Sequence, residues 1–154
     1  MTVHLKNSPA LVRQISAAET YPIRSRVLRP GKPLQECIFE GDESTSTLHF
    51  GAYIDDKLVG VASYMENSNP MFDATSQYQL RGMAVLPEFQ KKKLGELLLL
   101  EGEKNLREKR SSILLWFNAR ETATDFYKRY DYSTKGEAFM IPNVCMHVVM
   151  FKEL

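Results

Sequence analysis

The chain is poor in features that would staple, anchor or export it. It has 154 residues and only two cysteines, Cys37 and Cys145. They form no C-x-x-C pair and no metal-spaced cluster, so neither a disulfide scaffold nor a cysteine-based metal centre is expected. Both are expected as reduced thiols in a cytoplasmic protein. No apolar run approaches the roughly 20 residues of a membrane span. The opening MTVHLKNSPALVRQ lacks the apolar core of a signal peptide. Neither sign of charge is in excess: 20 Lys and Arg face 19 Asp and Glu, a net charge of +1. That removes the global electrostatic basis for a nucleic-acid or anionic-membrane partner. Internal repeats and low-complexity tracts are missing too.

What is there fits one globular domain over residues 1–154, with 44% hydrophobic content to build a core. Residues 1–30 read as a strand or extended arm and then a helix, with Ile15, Ala18, Ile23 and Val27 on one face and Pro22 as an interruption. The breaker cluster from Arg29 to Pro33 ends that helix, and 34–47 reads as a loop. Leu48–Ile54 and Lys57–Glu66 flank Asp55-Asp56 as a hairpin. Gln77–Leu86 is a strand closed by Pro87. Lys93–Arg110 is a helix with a wide apolar arc, carrying Leu94, Leu97, Leu98, Leu99, Leu100 and Leu106. Ile113–Phe117, ILLWF, is a continuous apolar run, as in a strand covered on both faces. Two strands around one helix make a βαβ unit with parallel strands. A short helix over 122–130 and a strand pair, Ser133–Ile141 and Val144–Lys152, close a mixed α/β sheet.

Two local patterns carry chemistry. The first is Gln90-Lys91-Lys92-Lys93-Leu94-Gly95, a turn that opens the long helix. Backbone N–H groups at a helix start point outward, and the helix dipole adds partial positive charge. A pyrophosphate suits that end, though a solvated lysine turn is the plainer reading of the same residues. It is not a P-loop, because GxxxxGK[ST] is absent. The second is N118-A-R-E-T-A123-T-D-F126-Y127. Asn118 ends the apolar strand on the side where open α/β sheets bind ligands. Ala123, Phe126 and Tyr127 share one face of the short helix. Here too a structural reading stays open, with Asn118 as a turn residue and Tyr127 in the core.

Together these two patterns resemble the GNAT superfamily of acyl-CoA-dependent N-acetyltransferases. The family pattern is [RQ]-x-x-G-x-[GA] opening a helix, a strand ending near Asn, then A-x-x-F-Y-x-x-x-G-F. This chain supplies Gln90, Leu94, Gly95, Asn118, Ala123, Phe126, Tyr127 and Tyr132. It departs at Lys93 and Asp131, where the family usually has glycine. Asp tolerates a left-handed turn better than most residues. The resemblance implies a mostly antiparallel mixed sheet with a central parallel βαβ unit and helices on both faces.

It also implies roles. Met83, Ala84 and Val85 would pair with the pantetheine arm of acetyl-CoA, the expected cosubstrate. The backbone of Gln90, Lys91, Lys92, Lys93, Leu94, Gly95 and Glu96 would take the pyrophosphate. Asn118 would contact pantetheine, with Ala123 and Phe126 on the cofactor side. Tyr127 would be general acid to the thiolate, and Val85 N–H would face the oxyanion. No metal is implied. The acceptor would be a small-molecule or peptide amine, and the protein a monomer or homodimer.

A protonated amine needs a base. His147 is the first candidate, because small GNAT proteins of the ElaA type have a histidine at a similar place before the stretch matching Met150 to Glu153. A structural histidine on a closing strand is the competing reading. Glu137, His49 and Glu66 are weaker candidates. Arg81 suits an acceptor carboxylate or a plain surface position. Arg24 and Arg26 read either as a solvated pair or as a hint of substrate anion. The alternative to an enzyme is a non-catalytic acyl-CoA-binding module of the same fold.

Overall fold

A computed structural model of the chain describes residues 10–142 and 144–154. The first residues of the expected N-terminal arm, 1–9, lie outside the described residues. Seven strands form one sheet in the order β1-β2-β3-β4-β5-β7-β6. They are β1 Leu11–Ile15, β2 Leu48–Ile54, β3 Lys57–Glu66, β4 Gln77–Val85, β5 Leu114–Arg120, β6 Ser133–Met140 and β7 Met146–Glu153. Helix α1, Ala17–Leu28, follows β1; α2, Leu94–Lys109, joins β4 to β5; α3, Thr124–Lys128, precedes β6. The β4–β5 pair is parallel and the other registers described are antiparallel. The expected mixed, mostly antiparallel sheet with a βαβ unit is therefore the observed one.

The chain divides into two compact units. One gathers the described residues up to Met65 with Arg81–Asn105; the other gathers Glu66–Leu80 with Leu106–Leu154. In the first, α1 starts at a capping box. Ser16 Oγ accepts from Glu19 N–H, and the Glu19 carboxylate accepts from Ser16 N–H at 2.9 Å. The sequence SAAE carries that signal. Ile15 belongs to β1 and not to the helix face expected of it, and Pro22 sits inside α1. The hairpin turn uses Asp55 and Asp56 at φ 50° and 64°. This is the double left-handed turn that matches strand twist. Behind it, Phe50 meets Tyr64 edge-on at 5.8 Å, among fully buried Val59, Val61, Leu98 and Leu99.

In the second unit Leu114, Trp116 and Val149 form a core against Phe72, Ala74, Phe139 and Phe151. Trp116 satisfies its buried indole by donating to Asn67 O at 2.9 Å. β5 runs two residues beyond the expected end at Asn118. The alternation of exposed Asn118, buried Ala119 and exposed Arg120 continues the strand.

Candidate active site

In the first unit, β4 leads into the lysine turn. A 3₁₀ turn, Pro87–Phe89, intervenes, and Glu88 is gripped by Arg26 with both carboxylate oxygens at 2.8–2.9 Å. Gln90 Nε2 donates to Val85 O at 3.1 Å, tying the turn to the strand end. Lys91 and Lys93 then take φ of 65° and 62°, with their side chains exposed. The Lys93 position, where a glycine was expected, thus keeps the backbone conformation that favours glycine. The first helical bond runs from Leu97 N–H to Lys93 O at 3.1 Å. Backbone N–H groups at a helix start have no intrahelical partner, and left-handed residues in a turn are a way to bring successive N–H groups toward one anion.

In the second unit, α3 carries the aromatic pair. Tyr127 packs its ring on Phe117 at 4.3 Å and edge-on against Phe126 at 5.0 Å. Asp131 takes φ 71°, and Tyr132 N–H returns to Tyr127 O at 3.2 Å. Asp131 therefore makes the left-handed helix exit expected of it. Tyr132 is buried against Phe117 at 5.1 Å. Burial pushes the Tyr127 phenol up to about 12, because the phenolate would lose its hydration. Ala123 caps α3 and Phe126 is half-buried.

The same unit holds His147. It lies on β7, buried, opposite Arg120 of β5 and Phe139 of β6. Its Nδ1 lies 2.8 Å from Cys145 O. A carbonyl only accepts, so Nδ1 carries the proton and the neutral ring keeps its lone pair on Nε2. Asn118 is exposed and registers with Val149.

The remaining candidates are resolved by their contacts. Arg24 is neither a solvated arginine nor a free anion site. It is fully buried, donating to Asp42, Cys37 O and Ser63 Oγ at 2.8–3.0 Å. His49 is buried with Nδ1 2.7 Å from Ser63 Oγ and Nε2 2.9 Å from Asp42 O, so both nitrogens are engaged. Ser63 Oγ accepts from Arg24 and gives its own proton to His49 Nδ1. That fixes His49 as the Nε2–H tautomer and removes it as a base. Glu66 pairs with Arg110 at 2.6 Å, while Glu137 is exposed on β6. Arg81 is half-buried, its guanidinium carbon 4.5 Å from the centre of the Phe39 ring. Phe39 had no local sequence signal, since it lies in a loop without periodicity.

A family model described as an acetyltransferase (GNAT) domain matches residues 26–154. An uncharacterized N-acetyltransferase of Bacillus subtilis (strain 168), YitI, is 35% identical over 143 residues, covering 93% of this chain and 95% of the relative. The crystal structure of Escherichia coli ElaA superposes with a TM-score of 0.78 at 15% identity, covering 94% of this chain and 99% of that one. The PaiA N-acetyltransferase of Thermoplasma acidophilum, solved in complex with coenzyme A, gives 0.65 at 18% identity, covering 95% and 99%.

Proposed function

Because the chain belongs to the GNAT acetyltransferase family, we propose that it moves the acetyl group of acetyl-CoA to a primary amine of a small molecule or peptide by direct attack in a ternary complex. The turn Gln90–Gly95 carries this reading. Lys91 and Lys93 pay backbone strain to curl it, at φ 65° and 62°, and a turn that only needs to be solvated gains nothing from that. In this reading the backbone of Gln90–Glu96 holds the pyrophosphate. The parallel register joins only Gln77–Gln79 to Leu114–Trp116, and Met83–Val85 lie past it along β4. Their backbone serves the pantetheine arm, with Asn118, Ala123 and Phe126 as further contacts.

The amine nitrogen attacks the thioester carbon, and the carbonyl oxygen takes the negative charge, facing Val85 N–H. The C–S bond then breaks and the thiolate leaves with the electron pair. Tyr127 faces it as a neutral donor. A phenol at about 12 is some 3.5 units weaker than a thiol of about 8.5, so complete transfer is uphill by about 5 kcal/mol. Tyr127 therefore acts mainly by hydrogen bonding. His147 Nε2 accepts the proton that the amine sheds.

We read residues 1–154 as one acyltransferase domain working in the cytoplasm as a monomer or homodimer, without nucleic acid or membrane. Among the described residues no helix is long and apolar enough to cross a membrane. The test is thiol release from acetyl-CoA across amino acids, polyamines, aminoglycosides, arylalkylamines and peptides. Turnover of any amine supports the reading. Tight acetyl-CoA binding with no release from the whole panel, and none with longer acyl donors, makes the chain a non-catalytic acyl-CoA-binding module.

A further inference from the structure

We infer that Arg81, held against Phe39, selects acceptor amines that carry a carboxylate. The inference rests on the transferase reading above for the reaction, but its geometry is independent of it and lies within one unit.

Arg81 stands in β4, two residues before Met83. Its guanidinium carbon is 4.5 Å from the centre of the Phe39 ring, a cation–π contact that holds the head group over that ring. Arg24 uses the same ring, at 4.0 Å. The two arginines differ in their anionic partners. Both terminal nitrogens of Arg24 are taken, by the two Asp42 oxygens, Cys37 O and Ser63 Oγ, and only its Nε is left without a hydrogen bond. Asp42 also accepts from Phe39 N–H at 2.8 Å, so its oxygens are committed. Among the described residues, no carboxylate is paired with Arg81 at ion-pair distance.

The surroundings disfavour the charge on Arg81. Burial, then the nearby charge of Arg24, lower the Arg81 pKa from its ordinary value, and Arg29 adds to this; Asp42 and Glu40 oppose it. A half-buried guanidinium without a bonded anion is the arrangement that an incoming carboxylate improves most. Two parallel N–H···O bonds would form on a guanidinium already held in place by the Phe39 ring.

Phe39 and the strand approach each other closely. Gly82, at φ 65°, follows Arg81, and a Cβ there would meet Phe39 Cε2 at 2.9 Å. Only glycine lets Phe39 reach the strand beside Arg81. Phe39 is itself placed by the Arg24–Asp42 pair, because its N–H bonds Asp42. A surface arginine of no consequence would need none of this framing.

The test uses amine pairs that differ only by the carboxylate: lysine and cadaverine, phenylalanine and phenethylamine. Thiol release from acetyl-CoA gives kcat/KM for each, and calorimetry gives Kd for each with the protein–CoA complex. The wild type should favour the carboxylated member of at least one pair by roughly ten- to hundredfold, the range of a charge-assisted hydrogen bond. Arg81→Gln should erase that ratio while the plain amine and acetyl-CoA binding change less than about threefold. Arg81→Lys, which keeps the charge and loses the fork, should retain only part of it and covers the case of a misfolded Gln variant. If the carboxylated amines bind no better than their partners, or Arg81→Gln keeps the preference, the inference is overturned. If carboxylated amines bind selectively but nothing is turned over, the selectivity stands and the transferase reading fails.

Discussion

The guanidinium of Arg24 meets both carboxylate oxygens of Asp42, at 2.8 and 3.0 Å, with the two side chains 0% and 1% exposed. This pair joins α1 to the loop that carries Phe39, across eighteen residues of sequence. Breaking one side of a buried pair strands the other charge. Asp42→Asn is therefore expected to cost about 3–5 kcal/mol in urea unfolding. The double change Arg24→Met with Asp42→Leu should cost clearly less than the sum of the single changes, since no charge is left behind. Strict additivity of the two in a double-mutant cycle would refute the coupling.

Gly102 lies under the ring of Tyr64, whose hydroxyl donates to Leu98 O at 2.8 Å. A Cβ at position 102 would fall inside the Tyr64 ring, which is fully buried and has nowhere to go. Gly102→Ala raises helix propensity, which alone would stabilise by about 1 kcal/mol. Overpacking at this contact, typically about 1–3 kcal/mol and larger here because a whole ring must move, should win. The expected outcome is a net loss in melting experiments, partly recovered by adding Tyr64→Leu. A more stable Gly102→Ala protein would contradict the packing described.

Both features show where sequence stops informing. The hairpin Leu48–Glu66 was legible because alternation and a two-residue turn are local. So were α2 and the two strands it joins, through their apolar runs. Arg24 was not legible, because its meaning depends on Asp42 and Ser63, eighteen and thirty-nine residues away. The left-handed backbone of Lys91 and Lys93 was hidden because lysine has no intrinsic preference for it. Asn118 was read as a strand end because the apolar run stops there, whereas backbone pairing continues to Arg120 opposite His147. The lysine turn and the aromatic pair were legible as family motifs; the Arg81–Phe39 contact was not, because it joins a strand to an aperiodic loop.

Lys93 gives the phosphate turn its own test. A left-handed lysine costs about 1–2 kcal/mol relative to an unstrained residue, and glycine brings back about 0.5–1 kcal/mol of unfolded-chain entropy. Lys93→Gly should leave stability equal or higher by roughly 0.5 kcal/mol. If the backbone holds the pyrophosphate, coenzyme A affinity should change less than about threefold. A tenfold loss that vanishes at high salt would assign the binding to the lysine side chain instead.

Tyr127 makes a claim about chemistry and about pH together. Tyr127→Phe removes the hydroxyl and keeps the ring that packs on Phe117 at 4.3 Å. Turnover is expected to fall about ten- to hundredfold with acetyl-CoA affinity unchanged, the size of one lost charge-assisted bond to the leaving thiolate. Burial raises this phenol from 10.0 to about 12. A raised pKa means that the native state holds its proton where the unfolded chain has lost it. The stability is thus complete below pH 10 and is lost as pH climbs toward 12, by up to about 2.7 kcal/mol for two units. Burial moves Tyr78 in the same direction and adds to the slope. Unfolding titrations from pH 9 to 11.5 should therefore fall less steeply for Tyr127→Phe than for the wild type. Equal slopes would show that the phenol ionises in the native protein as readily as in water, and with it the case for a neutral donor at the thiolate would fail.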